Sequence, residues 1–186
     1  MTKTICILLA DGFEEAEALV PADYLARLGY KVKFVGTTNT KVRGTHNFYI
    51  HSDTTLDNIS ASDFDALILP GGLPGTINLR NDERVLNLVR QTFANNKLCA
   101  AICAAPIILR DAQITDGLTL TGYPECERLS YNPDFKFSGK PIEIQNNVIT
   151  AIGMGQAANF AFAIAHALGT KQTELQQLAA STFTVI

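Results

Sequence analysis

The chain alternates short, unbroken apolar runs with stretches in which apolar residues recur every three or four positions. Residues 3–9 are the first such run, with Ile5, Ile7 and Leu9 set against Cys6 and Leu8, and they predict a buried strand. After the Asp11-Gly12 turn, Phe13, Val20, Tyr24 and Leu28 keep helical spacing, which predicts a helix over about 14–28. Pro21 falls inside it and removes the hydrogen bond to the Glu17 carbonyl, so a kink is expected beside that residue. Gly29 closes the helix, and 31–35 alternates as a second strand. Phe48-Tyr-Ile50 reads as an edge strand and 56–59 as a turn of helix. Residues 65–69 form another buried strand, running into Pro70-Gly-Gly-Leu-Pro-Gly75. A helix over 83–95 presents Val85, Leu88, Val89 and Phe93 on one face.

Leu98 to Ile102 is uncharged and apolar on both faces, as a central strand covered on two sides requires. It breaks at Cys103, and Ala104, Ala105 and Pro106 suit the first turn of a helix that runs to about Asp111. Farther on, 117–121 reads as a brief strand and a short helix starts at Pro124. Residues 142–144 and 148–150 are strands meeting through Asn146-Asn147, and helices cover 159–168 and 171–180. This alternation predicts an α/β fold, a three-layer α/β/α sandwich with a mostly parallel central sheet, with 1–186 as one domain. Right-handed crossovers would bring three strand ends, at 10–14, 70–75 and 103, to one crevice.

Composition narrows the class. Of 186 residues, 47% are hydrophobic and 18% charged, enough for a packed core. A net charge of −3 gives no electrostatic footprint for nucleic acid or an anionic membrane. The apolar run at 5–10 is too short for a signal peptide and is followed at once by Asp11, Glu14, Glu15 and Glu17. No apolar run reaches the length of a membrane span, so a cytoplasmic protein is expected. Cys6, Cys99, Cys103 and Cys126 lack metal-ligand spacing, and Cys6 and Cys99 read as small core residues.

Three stretches could carry chemistry. Glu14, Glu15 and Glu17 open the first helix, where acids complement the dipole, and 14 and 17 share a face that can turn toward the crevice. A desolvated carboxyl there would hold its proton and could shuttle it. Pro70 to Gly75 either turns the chain tightly or aims backbone N–H groups into the crevice as an oxyanion hole; it matches no nucleotide-binding fingerprint. Cys103 is either another packed cysteine or a nucleophile at a strand-to-helix corner, where unpaired N–H groups favour a thiolate. Of the three histidines, His166 reads as a packed core or interface residue, and nothing places His46 or His51 beside Cys103.

Together, Ala10-Asp-Gly-Phe-Glu-Glu-Ala-Glu17, Asp65-Ala-Leu-Ile-Leu-Pro-Gly-Gly72 and Ala100-Ala-Ile-Cys-Ala-Ala-Pro106 resemble the ThiJ/PfpI (DJ-one) superfamily across essentially the whole chain. The resemblance is nearest to the branch of the parkinsonism-associated deglycase and its bacterial relatives. It implies a flavodoxin-like, class I glutamine amidotransferase-like fold and a homodimer. It also implies that Cys103 is the reactive cysteine on the nucleophile elbow. Glu17 is then the protonated glutamate that bonds the sulfur, and the amides of Gly72 and Ala104 form the oxyanion hole. Gly71 and Tyr123 would border the substrate, Tyr123 standing where some members carry a His. The implied activity is glyoxalase- or deglycase-like, on small reactive aldehydes or their early adducts, with no cofactor and no metal. The alternative is a redox-sensing stress-response or chaperone-like role for the same cysteine, the role of Cys126 staying open.

Overall fold

The computed structural model describes residues 2–185. Among them, seven strands form one sheet, in the order β5-β2-β1-β6-β7-β9-β8. These are β1 (Thr4–Leu9), β2 (Lys31–Gly36), β5 (Thr54–Thr55), β6 (Ala66–Leu69), β7 (Leu98–Ile102), β8 (Ile142–Gln145) and β9 (Val148–Ala151). All neighbours run parallel except β8, which pairs antiparallel with β9. The expected mostly parallel sheet with helices on both faces is therefore present.

Strand alternation divides the core in two. Ile5, Ile7 and Leu9 of β1 face the same side as Ile68 and Ile102. That layer is closed by α1 (Glu15–Arg27), α5 (Ala157–Ala167) and α6 (Gln172–Thr182). Cys6, Leu8, Leu67, Leu69, Cys99 and Ala101 face the opposite side. There α2 (Gly75–Arg80), α3 (Glu83–Ala94) and α4 (Pro106–Asp111) cover them. Two apolar layers on a sheet with no solvated face explain why its central strands are continuous apolar runs.

Several local expectations change. Residues 117–121 form no strand, because side chains take the hydrogen bonds a ladder would need. Thr119 N–H donates to Gln145 Oε1, Thr121 N–H to Thr150 Oγ1, and Thr121 Oγ1 to the Lys140 carbonyl. Tyr49–His51 (β4) pairs with Lys41–Arg43 (β3) as a separate antiparallel hairpin rather than as an edge of the main sheet. The short helix expected from Pro124 is a single 3₁₀ turn, Cys126–Leu129. Helix α2 was not legible, since it begins at the last glycine of a glycine-proline turn. Pro21 does sit inside α1, and the Asn146-Asn147 turn does join β8 to β9. Among the described residues no helix is long and apolar enough to cross a membrane.

Candidate active site

Cys103 follows β7, where alternation would send its side chain to the α3 face with Cys99 and Ala101. Instead its φ is +64°, in the left-handed region that non-glycine residues rarely enter. The side chain consequently packs against the opposite layer, the one built on α1. The backbone holds this corner from both sides: Cys103 N–H donates to the Ala151 carbonyl at 2.9 Å, and its own carbonyl accepts Tyr123 N–H at 2.7 Å. This sharp corner with a strained nucleophile-type residue has the form of an elbow.

Glu17, one turn into α1, is fully buried. Its Oε2 accepts the Gly71 N–H at 2.9 Å, while Oε1 has no hydrogen-bond partner. Gly71 packs directly on Cys103, for a Cβ placed there would lie 2.7 Å from Cys103 Cβ. Thiol and carboxyl are close enough to shift each other's titration, while Glu17 Oε1 keeps no hydrogen-bond partner. Burial pushes the Glu17 carboxyl up to about 7, against the lowering pull of Cys103 and the Gly71 amide. Burial, and after it the charge of Glu17, push the Cys103 thiol up, while the Ala104 amide pulls it down. With one proton between them, the pair can exist as thiol and carboxylate or as thiolate and carboxylic acid.

The three predicted segments do converge. Glu14 N–H donates to the Gly71 carbonyl at 2.9 Å and Gly75 N–H to the Gly12 carbonyl at 3.1 Å. Gly72 has a φ of +87°, and a Cβ on it would stand 2.4 Å from the Glu14 nitrogen. Neither the Gly72 nor the Ala104 amide donates to another backbone group among the described residues. Both residues line a cavity of about 320 Å³ beside Cys103. A second cavity, of about 690 Å³, shares Glu14, His46, Cys103 and Tyr123 with it and is bordered further by Glu17 and Met154. Tyr123 is 56% exposed and lines both cavities. Gly71, expected to border the substrate, lines neither, and its amide donates to Glu17 instead. A separate polar cleft of about 560 Å³, between Asp11, Thr37 and Asp82, does not include Cys103.

His46 was not expected here. The β3–β4 hairpin folds over the start of α1 through Gly12 N–H to the Arg43 carbonyl and Thr45 N–H to the Phe13 carbonyl. This sets His46 at the rim of both Cys103 cavities. Its Nδ1 lies 2.9 Å from Glu15 Oε2 and 3.7 Å from Glu14 Oε1. The Glu15 hydrogen bond and the Glu14 charge hold the imidazole above its ordinary range. Burial alone would raise Glu15, yet His46 and the amides of His46 and Phe48 outweigh it and keep the carboxyl low. Glu14, Glu15 and His46 bring metal-ligand atoms within 4.8 Å of one another, a grouping these hydrogen bonds already explain. The sequence carries no signal for this placement, which depends on a tertiary fold-over. His51 and His166 are exposed and line neither cavity, so His166 does not belong to the core of this chain.

Comparison with known proteins shows the family to which this fold belongs. The sequence profile of the DJ-1/PfpI family matches residues 3–167. The chain belongs to the DJ-1/PfpI family. Protein dj-1beta of Drosophila melanogaster is 34% identical over 180 residues, covering 96% of each chain. The Parkinson disease protein 7 homolog of Danio rerio is 31% identical, covering 89% of each. The C103A mutant of a DJ-1 superfamily protein from Salmonella typhimurium superposes with a TM-score of 0.91 at 28% identity over the whole of both chains.

Proposed function

We propose that this protein is a cofactor-independent, cysteine-dependent enzyme acting on small reactive aldehydes or their early adducts, glyoxalase- or deglycase-like in mechanism. The observation that carries this reading is the pairing of Cys103, held at φ +64°, with the fully buried Glu17, whose Oε1 is without a partner. Glu17 is pushed up to about 7 by burial, so near neutral pH it can both take and return a proton.

For methylglyoxal the steps balance without an external oxidant. The Cys103 sulfur bonds the aldehyde carbon while its proton passes to the Glu17 carboxylate. The aldehyde oxygen becomes an oxyanion facing the Gly72 and Ala104 amides, each donor worth about 3–4 kcal/mol at such a site. Glu17 protonates that oxygen, takes the hydrogen from the sulfur-bearing carbon to leave an enediolate, and delivers it to the neighbouring carbon as the hydroxyl proton passes from the first oxygen to the second, leaving a lactoyl thioester. Water cleaves the thioester to lactate and restores the Cys103 thiol. Tyr123 and His46 border the space where the substrate would lie.

The same geometry supports a second reading, in which oxidation of Cys103 serves a stress response. Glu17 Oε1, having no partner, could bond an oxygen added to the sulfur. We also propose that the protein is cytoplasmic and forms a homodimer, the pairing supported by the exposed apolar residues Leu19 on α1 and Phe48 and Tyr49 on the hairpin. To test the enzymatic reading, protein is mixed with methylglyoxal, acid-quenched and mapped by mass spectrometry. A lactoyl or half-thioacetal adduct on Cys103, absent from Cys103→Ser, is expected. Adducts spread over lysines and arginines with Cys103 unmodified would contradict it.

A further inference from the structure

We infer that Cys126 is the resolving thiol for Cys103: once a hydroperoxide has oxidised Cys103 to a sulfenic acid, Cys126 condenses with it to close an intramolecular disulfide. The inference rests on the reading of Cys103 as the reactive thiol and adds a partner and a fate to it.

Of the four cysteines, Cys103 and Cys126 alone share a cavity, the one of about 320 Å³ that Tyr123 and Ala104 also line. Cys126 is moreover fastened to the Cys103 backbone. Tyr123 N–H donates to the Cys103 carbonyl at 2.7 Å, and Cys126 N–H donates to the Tyr123 carbonyl at 3.2 Å. The two thiols also influence each other electrostatically, Cys126 adding to the upward push on Cys103. The other two cysteines are placed differently. Cys99 is fully buried on the α3 face with its sulfur 3.9 Å from the Val89 carbonyl, and Cys6 is buried in β1. Neither lines a cavity that Cys103 lines, so neither sulfur has open space through which to reach it.

The segment bearing Cys126 is suited to adjust. It is a single 3₁₀ turn, Cys126–Leu129, entered through Glu125 in the left-handed conformation at φ +69°. No strand ladder fixes it, so drawing the two sulfurs to bonding distance disturbs a few turn hydrogen bonds rather than the sheet.

The chemistry balances with a hydroperoxide as the oxidant. Cys103 sulfur attacks the peroxide, whose O–O bond breaks; sulfur loses two electrons and becomes –SOH, and the alcohol or water leaves. Cys126 sulfur then attacks the sulfenic sulfur, the S–O bond breaks, and the departing hydroxide leaves as water with the Cys126 proton. Burial raises the Cys126 thiol, so that proton is present to be taken at neutral pH. The competing path, a second peroxide giving sulfinic acid, is irreversible to ordinary thiols, whereas the disulfide is reducible. Cys126 would thus keep the site recoverable.

The test treats the full chain with hydrogen peroxide, blocks remaining thiols with iodoacetamide, and maps unreduced tryptic peptides. Peptide 98–110 carries Cys99 and Cys103, and peptide 111–128 carries Cys126. The expected product is a 98–110/111–128 link two hydrogens lighter than its parts. It disappears on reduction and is absent from Cys103→Ser, which excludes Cys99. In Cys126→Ser, and in Cys126→Ala as a second check, Cys103 should pass to sulfinic acid several-fold faster than in wild type. Equal sulfinic acid in all three proteins with no link would overturn the resolving role while leaving Cys103 reactive. A link found only between two chains, seen as a covalent dimer on a non-reducing gel, would overturn it too. Cys103 left unoxidised in every protein would overturn both this inference and the reactive-thiol reading beneath it.

Discussion

Gly71 donates its backbone N–H to Glu17 Oε2 at 2.9 Å, and a Cβ on Gly71 would stand 2.7 Å from that same oxygen. The glycine therefore orients the carboxyl and leaves room for it and Cys103 to meet. Alanine at 71 would also press within 2.7 Å of Cys103 Cβ and 2.9 Å of the Ile102 carbonyl, none of which is the free end of a flexible side chain. Gly71→Ala is expected to cost about 1–3 kcal/mol of stability by overpacking. It should also slow Cys103 alkylation or aldehyde turnover out of proportion to that loss. Urea titration beside iodoacetamide kinetics measures both, and unchanged values would show that the close packing is relaxed at little cost.

A second prediction concerns stability against pH. Glu17 has its folded value pushed up to about 7 from an ordinary 4.5 by burial. Between those values the native state holds a proton that the unfolded chain has lost, so this contribution is full below about 4.5 and is lost as pH rises through 7. At about 1.4 kcal/mol per unit, the loss is on the order of 3 kcal/mol. Glu17→Gln should flatten the decline, which chemical denaturation of both proteins from acid to neutral pH would reveal. Parallel stability profiles would contradict a proton held on Glu17.

Glu15 anchors the hairpin to α1 by accepting the His46 and Phe48 amides and the His46 ring. Glu15→Ala removes the carboxylate acceptor of these part-buried hydrogen bonds and is expected to cost about 1 kcal/mol. In Glu15→Gln the His46 imidazole should titrate nearer its ordinary 6.5, because the hydrogen bond that raises it is weakened. Proton NMR of the His46 ring resolves the shift. An unmoved titration would mean that Glu14 alone sets it.

Much of this site was legible in the sequence because its parts are local. Continuous apolar runs in β1, β6 and β7 require a sheet covered on both faces, and such a sheet gathers the loops after those strands. The Cys103 corner showed in the abrupt change from apolar strand to small residues and Pro106. Choosing Glu17 over Glu14 and Glu15 needed the family resemblance, since a helical period places 14 and 17 on one face alike. His46 stayed hidden because a hairpin with little pattern of its own carries it across the chain by backbone hydrogen bonds. The 117–121 strand was wrongly expected because its threonines and a distant glutamine satisfy the backbone through side chains, which periodicity does not register.

Removing the Glu17 charge should separate the two halves of the mechanism. Burial and the Glu17 carboxylate both hold the Cys103 thiol up, so Glu17→Gln lowers it and speeds alkylation at neutral pH. The same change removes the group that moves protons during turnover. Faster alkylation with slower turnover is the expected combination. Slower alkylation would mean that Glu17 acts chiefly as a partner stabilising the thiolate.

The most direct test of the whole account is lactate release from methylglyoxal by wild type, Cys103→Ser and Glu17→Gln, with folding of each confirmed by circular dichroism. Wild type should turn over, Cys103→Ser should fall to the buffer rate, and Glu17→Gln should lose on the order of a hundredfold or more, as expected for a missing acid–base group. Wild-type turnover in Cys103→Ser, or no lactate from any of the three, would contradict it.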